Sequence, residues 1–393
     1  MYMKRNLRNE FQTALNQFPA VVISGPGQAG KTTFIRNELN QNTTYVLLDD
    51  PIKRMSVRED PLGFISNFKG KSVFLDEIQY VPELFSYIVQ DIEKNSPVNG
   101  KWIMAISQEV QEFITFRDSL AGKIKVLNLL PFHTMENIIF DGQNIEKLIW
   151  QGGYPENILN STIRQSWFSE KIQSFIERDH RQFILIRDTG AFQKFLGLCA
   201  SMNGKELNTA LLARHVGIQQ PTCSKWVSIL QASFLIILVP PYYQNFGKRV
   251  IQSPKMYFLD QAMAVYLTKQ KNKRAILNGD MGHKFFEGFI VTEVYKSLIA
   301  NNKNAHFYFW RSHDGLEVDL IIEMNGKTWP IDIRKNATPV SKHAKSLIKF
   351  KKIAKNVKFM RPTIVCNATE KKMVTRGIEA LPWKDFLKEI DCH

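Results

Sequence analysis

The sequence has no long apolar segment, few cysteines and no recognisable targeting peptide. Its longest apolar run, 234–239, is too short to cross a bilayer and ends in two prolines. The first residues contain no apolar core like that of a signal peptide. These absences predict a cytoplasmic protein without a membrane partner. Metal-binding spacing is also missing from the four cysteines, which we expect to be reduced thiols: Cys199, Cys223, Cys366 and Cys392.

The sequence also has fewer acidic than basic residues. The chain has 52 Lys and Arg against 37 Asp and Glu, a formal net charge of +15. Residues 335–393 alone contain 14 basic and 5 acidic side chains, a difference of +9. This concentration suits a polyanion, with nucleic acid (DNA) the first candidate and an acidic membrane surface the second. A solvated basic surface without a partner is the alternative.

One stretch near the N-terminus predicts a phosphate-binding loop. The apolar run 21–23 leads into GPGQAGKT, which has the spacing G-x-x-x-x-G-K-T, and a helical pattern follows. Glycines let the backbone curve so that its N–H groups and the helix N-terminus face an anion. We expect Lys31 to reach the β- and γ-phosphates of ATP, and Thr32 to hold Mg²⁺. The expected ATP-binding residues are Gly25, Pro26, Gly27, Gln28, Ala29, Gly30, Lys31, Thr32, Thr33 and Asp76.

Two further apolar runs end in carboxylates. Residues 45–50 read as a buried strand, and residues 72–77 read as a strand that ends in Asp76 and Glu77. Downstream of a phosphate-binding loop, the second run is typical of a Walker B element. Asp76 would hold Mg²⁺, and Glu77 would polarise the water that attacks the γ-phosphate.

The next run, 102–106, ends in two polar residues. In ATPases of this class the strand between the two Walker strands ends in a polar residue that senses the γ-phosphate, and Gln108 or Ser107 could do so here. Residues 125–130 supply a fifth strand. Strands that alternate with helices predict a parallel α/β sheet, with the nucleotide at the carboxyl ends of its strands.

These motifs resemble those of a widespread prokaryotic family of AAA+-like P-loop ATPases that carry a C-terminal domain of unknown function. The shared words run in order through nearly the whole chain, among them GPGQAGKTTF, FLDEIQYVPELF, ISQ, SLAGK, LLPF, GGYPE, ERD, LARHVGIQQPT, SPKMYFLD, WRSHDGLEVDLII and LPW. One departure is Lys123, where the family usually has an arginine able to make planar bidentate contacts. Arg117 and Arg178 remain as candidate arginine fingers, and a finger from a neighbouring subunit would imply a homo-oligomer.

Residues 206–280 have the pattern of a winged helix-turn-helix. Helix 209–216, a turn, and a longer helix over 219–234 with Phe234 inside precede two strands, 235–239 and 255–259. Contacts to DNA bases and phosphates are expected from the second helix and the wing, namely from Gln219, Gln220, Thr222, Lys225, Lys248 and Arg249. Winged helices also serve purely for protein contact, which is the alternative.

The last segment reads as a helix, three strands, a helix, a strand and a final helix, the core order of a PD-(D/E)XK nuclease-like fold. Glu287, Asp319 and Asp332 would form a carboxylate set able to bind Mg²⁺. The motif requires lysine two residues after Asp332, but Arg334 stands there and cannot act as a base. We therefore expect a degenerate nuclease fold used for binding or assembly, with an active nuclease as the alternative.

The sequence thus predicts an α/β protein with four parts: an AAA+-like P-loop ATPase domain (1–140), a helical linker region (141–205), a winged helix (206–280) and a nuclease-like domain (281–393). ATP hydrolysis would switch the arrangement of the C-terminal half, on DNA. The alternatives are an ATP-regulated, Mg²⁺-dependent DNA nuclease and a scaffold that senses ATP without hydrolysing it and binds a protein.

Overall fold

The computed structural model describes residues 2–39, 41–94, 98–136, 140, 142–178, 188–242, 253–354 and 357–392, with the backbone alone at 161, 177 and 178. The chain divides into two compact units. The first comprises residues 1–132 with 232–234 and 299–302, and the second comprises 133–231, 235–298 and 303–393. The four-part division given above stays a prediction.

The first unit is built on a five-stranded parallel sheet, which confirms the predicted α/β architecture. Its strands lie in the order β2-β3-β4-β1-β5. Strand β4 therefore lies between β1, which precedes the phosphate-binding loop, and β3, which ends in Asp76. Each strand is parallel to its neighbours. The strands are β1 (Ala20–Ser24), β2 (Thr44–Leu47), β3 (Val73–Asp76), β4 (Trp102–Ile106) and β5 (Ile124–Asn128).

Helices cover both faces of this sheet because alternate residues of a strand point to opposite sides. Val21 and Ile23 pack with α1 and α2, whereas Ala20 and Val22 belong to the core on the other face. The helices are α1 (Arg8–Gln17), α2 (Lys31–Glu38), α3 (Pro51–Glu59), α4 (Pro61–Ser66), α5 (Leu84–Lys94) and α6 (Gln111–Ser119).

The prediction of a buried strand over residues 45–50 is wrong. The strand is shorter and lies at the edge of the sheet. Tyr45 and Leu47 are 39% and 41% exposed, because an edge strand has a neighbour on one side alone. From this edge the hydroxyl of Tyr45 reaches Asp76.

The second unit begins with a helical region and a small antiparallel sheet in the order β6-β8-β7. The strands are β6 (Lys205–Glu206), β7 (Ile236–Val239) and β8 (Lys255–Phe258). The helices are α7 (Ile145–Gln151), α8 (Pro155–Leu159), α9 (Arg164–Arg178), α10 (Thr189–Ser201), α11 (Thr209–Val216), α12 (Gln220–Ala232), α13 (Gln261–Leu267) and α14 (Ala275–Asn278).

The predicted helix pair and the two strands after it are present, but the second helix stops early. Helix α12 ends at Ala232, and Phe234 is half-buried with a left-handed φ of 57°, not inside a helix. The N–H of Leu235 donates to the carbonyl of Leu230 at 2.9 Å, the 6→1 bond of a Schellman cap that ends the helix. Lys248 and Arg249, predicted in the wing, lie outside the described residues.

The unit ends in a six-stranded mixed sheet in the order β13-β14-β12-β11-β10-β9. Its elements are α15 (Gly282–Ala300), β9 (Ala305–Arg311), β10 (Glu317–Met324), β11 (Lys327–Arg334), α16 (Lys345–Ile353), β12 (Thr363–Cys366), β13 (Lys372–Thr375), β14 (Ile378–Pro382) and α17 (Trp383–Cys392). The expected order is confirmed up to β12. The hairpin β13–β14 was not predicted, because its outer strand is largely exposed and lacks a strong apolar pattern.

Two predictions about composition can be compared with this fold. All four cysteines are free, three of them buried and Cys392 exposed. Within the described ranges, every helix is too short or too polar to cross a membrane.

Candidate functional site

The predicted phosphate-binding loop joins β1 to α2 at the carboxyl edge of the first sheet. A Cβ atom at Gly25 would lie 2.1 Å from the carbonyl oxygen of Leu129, so this position requires glycine. Gly30 has a left-handed φ of 93° where the loop enters α2. A Cβ atom at Gly27 would meet no described atom within 4 Å. The loop is therefore pressed against β5 at its start and open in its middle, where a ligand can approach.

Lys31 is buried at the start of α2, with 4% of its surface exposed. Its Nζ donates to the carbonyl oxygens of Gly25 at 2.9 Å and Pro26 at 3.0 Å. A third bond, at 2.9 Å, goes to the hydroxyl oxygen of Ser107 at the end of β4. Burial lowers the pKa of Lys31, and the nearby carboxylates of Glu77 and Asp76 oppose that shift. An anion at the loop would favour the charged ammonium further.

The two carboxylate oxygens of Asp76 differ in their hydrogen bonds. Its Oδ2 accepts a bond from the Thr32 hydroxyl at 2.7 Å and another from the Tyr45 hydroxyl at 3.1 Å. Its Oδ1 is buried and has no hydrogen-bond partner among the described residues. Burial raises the pKa of Asp76, and the bond from Thr32 counters part of the rise. A buried oxygen left without a partner fits a hydrated Mg²⁺, so these residues suit that ion.

Glu77 and the end of β4 complete the cluster. Glu77 has a left-handed φ of 57°, and its carboxylate accepts bonds from the Ser107 hydroxyl at 2.9 Å and from Gln79. Since Ser107 also accepts from Lys31, one hydroxyl joins the ammonium to the carboxylate. Gln108 is 4% exposed and lies one residue further on. Of the two candidate sensors, the structure thus brings Ser107 directly between Lys31 and Glu77.

A residue that the sequence analysis missed braces the loop from the N-terminal arm. Arg5 is buried and donates to the carbonyl oxygens of Ala29 at 3.1 Å and Leu130 at 2.5 Å. Its guanidinium also lies 4.0 Å from the ring centroid of Phe132. No motif marks such an arginine, because its partners are backbone atoms far away in the sequence.

The arginine-finger candidates have different surroundings. Arg117 is exposed on α6 and pairs with the adjacent Asp118 at 3.2 Å. The side chain of Arg178 lies outside the described residues.

The residues predicted to contact DNA lie around the start of α12. Gln219, Gln220 and Lys225 are exposed, whereas Thr222 is half-buried. Gln220 also donates to the hydroxyl of Thr209 at 3.4 Å. Three of these four side chains are therefore accessible to a partner.

The carboxylates of the nuclease-like segment gather around a lysine that the sequence analysis missed. Oxygens of Glu287, Glu317 and Asp319 lie within 4.8 Å of one another. Lys255, from β8, donates to Glu287 at 2.8 Å and to Glu317, and lies 3.7 Å from Asp319. Its side chain and that of Glu287 are both 0% exposed. An ammonium group thus occupies the centre of the acidic cluster.

The ionisable groups of this cluster shift one another's pKa values. Burial would raise the pKa of Glu287, but Lys255 and Lys284 outweigh it and lower the value to about 2. Burial raises the pKa of Asp319 well above its ordinary range, and repulsion from Glu287 and Asp332 adds to the rise. The cluster therefore holds one strongly ionised carboxylate beside one that favours its proton.

Asp332, the third predicted ligand, lies near enough to raise the pKa of Asp319 but has hydrogen-bond partners of its own. Its carboxylate pairs with Arg334, whose Nη2 donates to Oδ2 at 2.8 Å, and accepts a bond from the hydroxyl of Ser346, also at 2.8 Å. It is not one of the three carboxylates grouped within 4.8 Å. The structure therefore groups Glu287 and Asp319 with Glu317, which was not predicted, and does not include Asp332 in that group.

The parallel sheet, the glycine-shaped loop and the paired acids define a P-loop NTPase domain of the AAA class. Residues 17–138 match the family model described as "AAA domain". Two others match over residues 142–274 and 283–386, described as domains of unknown function DUF8612 and DUF4143. The chain thus combines an N-terminal AAA domain with a C-terminal domain of unknown function, as its motifs implied.

Among curated proteins the chain is similar to two uncharacterized mycobacterial ones, Rv2008c of Mycobacterium tuberculosis and Mb2031c of Mycobacterium bovis. Each is 25% identical over 342 residues, which span 86% of this chain and 75% of the relative. Two RuvB variants of Thermotoga maritima, with 14% and 13% identity, cover 60% of this chain and 89% of their own. Their TM-scores of 0.30 and 0.31 are too low to support an argument.

Proposed function

We propose that this protein binds ATP with Mg²⁺ and hydrolyses it at the cluster formed by the loop, Asp76 and Glu77. The observation that carries the proposal is the chain of contacts from Lys31 through Ser107 to Glu77, beside an Asp76 oxygen without a described partner. Lysine, hydroxyl and two acids at one edge of a parallel sheet suit the binding and hydrolysis of a nucleoside triphosphate.

Each side chain has a distinct role in this proposal. Lys31 would exchange its bonds to loop carbonyls for the β- and γ-phosphates, while Thr32 and Asp76 would hold Mg²⁺. Mg²⁺, when bound, neutralises phosphate charge. Glu77 would orient and polarise the attacking water, with Ser107 keeping its carboxylate in place. An arginine from another copy of the chain is the remaining expected part, and this is where a homo-oligomer would enter.

The nucleotide state would switch the C-terminal half of the chain, on DNA. The exposed side chains of Gln219, Gln220 and Lys225 support this part of the proposal, since amides and ammonium groups suit base edges and phosphates. If α12 contacts a protein instead, DNA will leave ATP turnover unchanged.

The nuclease-like segment would serve binding or assembly, not cleavage. Lys255 already neutralises the carboxylates where a metal ion would have to bind, and Arg334 pairs with Asp332. We expect no Mg²⁺-dependent cutting of DNA by the purified protein. Cutting that disappears in Asp319→Ala while ATP turnover survives would overturn this part.

The test is ATP turnover by the purified chain, with and without duplex or single-stranded DNA. Glu77→Gln should lower turnover by roughly 10²- to 10⁴-fold, the usual contribution of a general base. Glu112→Gln, an exposed acid on α6, is the matched control and should retain wild-type turnover. Lys31→Ala should lose ATP binding. The proposal fails if Lys31→Ala leaves both binding and turnover unchanged, and tight binding without turnover would instead support the scaffold.

A further inference from the structure

A groove in the second unit lies among α7, α9, α10 and α13. Its volume is about 1050 Å³, and its lining is part buried and part exposed. Arg164 lies at its buried end, whereas Lys194, Lys269 and Lys271 are exposed around it. None of these residues belongs to the nucleotide site, to the exposed start of α12 or to the acidic cluster.

The described residues that line the groove include four cations and no Asp or Glu. Burial lowers the pKa of Arg164, and the nearby carboxylate of Asp260, outside the lining, opposes that shift. The described ion pairs include none of the three lysines, and Arg164 donates to the backbone carbonyls of Trp150 at 2.7 Å and Ala262 at 3.4 Å, not to a carboxylate. Cations gathered in a concave surface raise the local positive potential, because low-dielectric walls focus the field. A bound anion would relieve this repulsion.

The basic character continues along one side of the groove. The segment 269–274 reads KQKNKR, with four cations and no acid in six residues, and all four cations are exposed. A row of cations this long matches successive phosphates of a polymer better than one small anion. Ordinary ligand pockets hold about 300–1,000 Å³, so the groove has room for several linked groups.

Aromatic and amide groups lie beside the cations. Trp150 and Tyr266 line the groove, as do four glutamines. Arg164 already covers one face of Trp150, at 3.9 Å from its ring centroid, and Tyr266 stacks on Phe168 at 5.4 Å, so each ring has its other face left for a base. Grooves for single-stranded nucleic acid combine cations that follow the backbone with aromatic rings on which bases stack. A duplex presents its bases stacked inside a convex cylinder and could not place them in such a groove.

We propose that this groove binds single-stranded nucleic acid. The lysines contact phosphates, Trp150 and Tyr266 each offer their remaining ring face to a base, and the glutamines hydrogen-bond polar edges. The proposal does not depend on ATP hydrolysis or on duplex contact by α12, so each can fail separately.

The test compares two charge-reversed forms of the full chain. One carries Lys194→Glu, Lys269→Glu and Lys271→Glu. The control carries Lys342→Glu, Lys345→Glu and Lys352→Glu, which are exposed and belong to the basic C-terminal segment. Both change the net charge equally. Because all six lysines are exposed and have no described ion pair, circular dichroism and the unfolding midpoint should match the wild type.

Binding is measured by fluorescence anisotropy with a labelled oligothymidylate and a duplex of equal length, over a salt series. At 0.15 M salt, where the screening length is about 8 Å, the groove variant should bind the single strand at least about tenfold more weakly than the control. The slope of log K against log salt should shrink by about 2 for three lost phosphate contacts.

Four outcomes would overturn the proposal. The first is that the wild type does not bind the single strand at low salt, and the second is that both variants lose equal affinity. The third is that the duplex binds as tightly as the single strand and loses as much affinity in the groove variant. The fourth is full displacement of the strand by inorganic tripolyphosphate at concentrations that leave ionic strength unchanged. The last would assign the groove to a small phosphate.

Discussion

Lys255→Met should strongly destabilise the second unit. The substitution keeps a side chain of similar length but removes the ammonium group that donates to Glu287 at 2.8 Å and to Glu317. Both Lys255 and Glu287 are 0% exposed, so water cannot replace the lost partner. The carboxylates would be left buried beside one another, and repulsion would add to the cost of their desolvation.

Breaking a buried ion pair by removing one partner costs about 3–5 kcal/mol, and this is the loss expected for Lys255→Met. Burial would raise the pKa of Glu287, but Lys255 and Lys284 together outweigh it and lower the value from 4.5 to about 2, so the ionised carboxylate stabilises the folded state. Since the folded-state pKa is the lower one, this stability is present above pH 4.5 and is lost as the pH falls through about 2.

The assay is urea unfolding at pH 7, followed by tryptophan fluorescence. Lys284→Met is the matched control, because Lys284 donates to the other oxygen of Glu287 at 2.8 Å but is 27% exposed, and its loss should cost about 1 kcal/mol or less. Equal losses in the two variants, or a loss below about 1 kcal/mol for Lys255→Met, would refute the reasoning. A dependence on pH between 2 and 4.5 that persists unchanged in Lys255→Met would do the same.

Three further outcomes follow from described contacts. Tyr45→Phe should raise the Mg²⁺ concentration for half-maximal ATP turnover about two- to tenfold, because Asp76 loses one orienting bond worth about 0.5–1.5 kcal/mol; an unchanged Mg²⁺ titration would contradict this. Ser107→Ala should lower kcat while ATP still binds, and a changed Kd with normal kcat would count against a positioning role. Arg5→Met should destabilise the first unit by about 1–3 kcal/mol in urea unfolding, because buried carbonyls lose their donor; wild-type stability would exclude a bracing role.

The sheet of the first unit could be predicted because its signals are local. Each apolar run of four or five residues ends in polar residues at the carboxyl edge, so loop spacing and strand ends together indicate the site. The contact of Tyr45 with the site could not be predicted in this way. Its run looks like a buried strand, and nothing in the sequence states that the strand lies at the edge, where an aromatic hydroxyl can reach Asp76.

The acidic cluster was predicted in part, since Glu287 and Asp319 were both named as ligands. Glu317 was not named, although it stands two residues before Asp319 on one strand and therefore points to the same face. Lys255 could not be found in this way, because it precedes Glu287 by 32 residues and comes from a strand assigned to another part of the chain. Only the packing of β8 against α15 brings the ammonium to the carboxylates.

Lys255 makes the nuclease-like carboxylates unsuited to binding a metal ion. A metal-dependent site needs deprotonated ligands and a path by which a phosphate can reach the ion. In this cluster the Asp319 carboxyl is 5% exposed and favours its proton. Glu287 pairs with the ammonium groups of Lys255 and Lys284, and Asp332 pairs with Arg334. Lys255 supplies the positive charge that a metal ion would otherwise supply, so these carboxylates can be stable in the folded protein without a bound ion. That exchange supports our proposal of a binding domain over a cleaving one, and it makes Lys255→Met, with Mn²⁺ added, the variant in which metal binding would first become measurable.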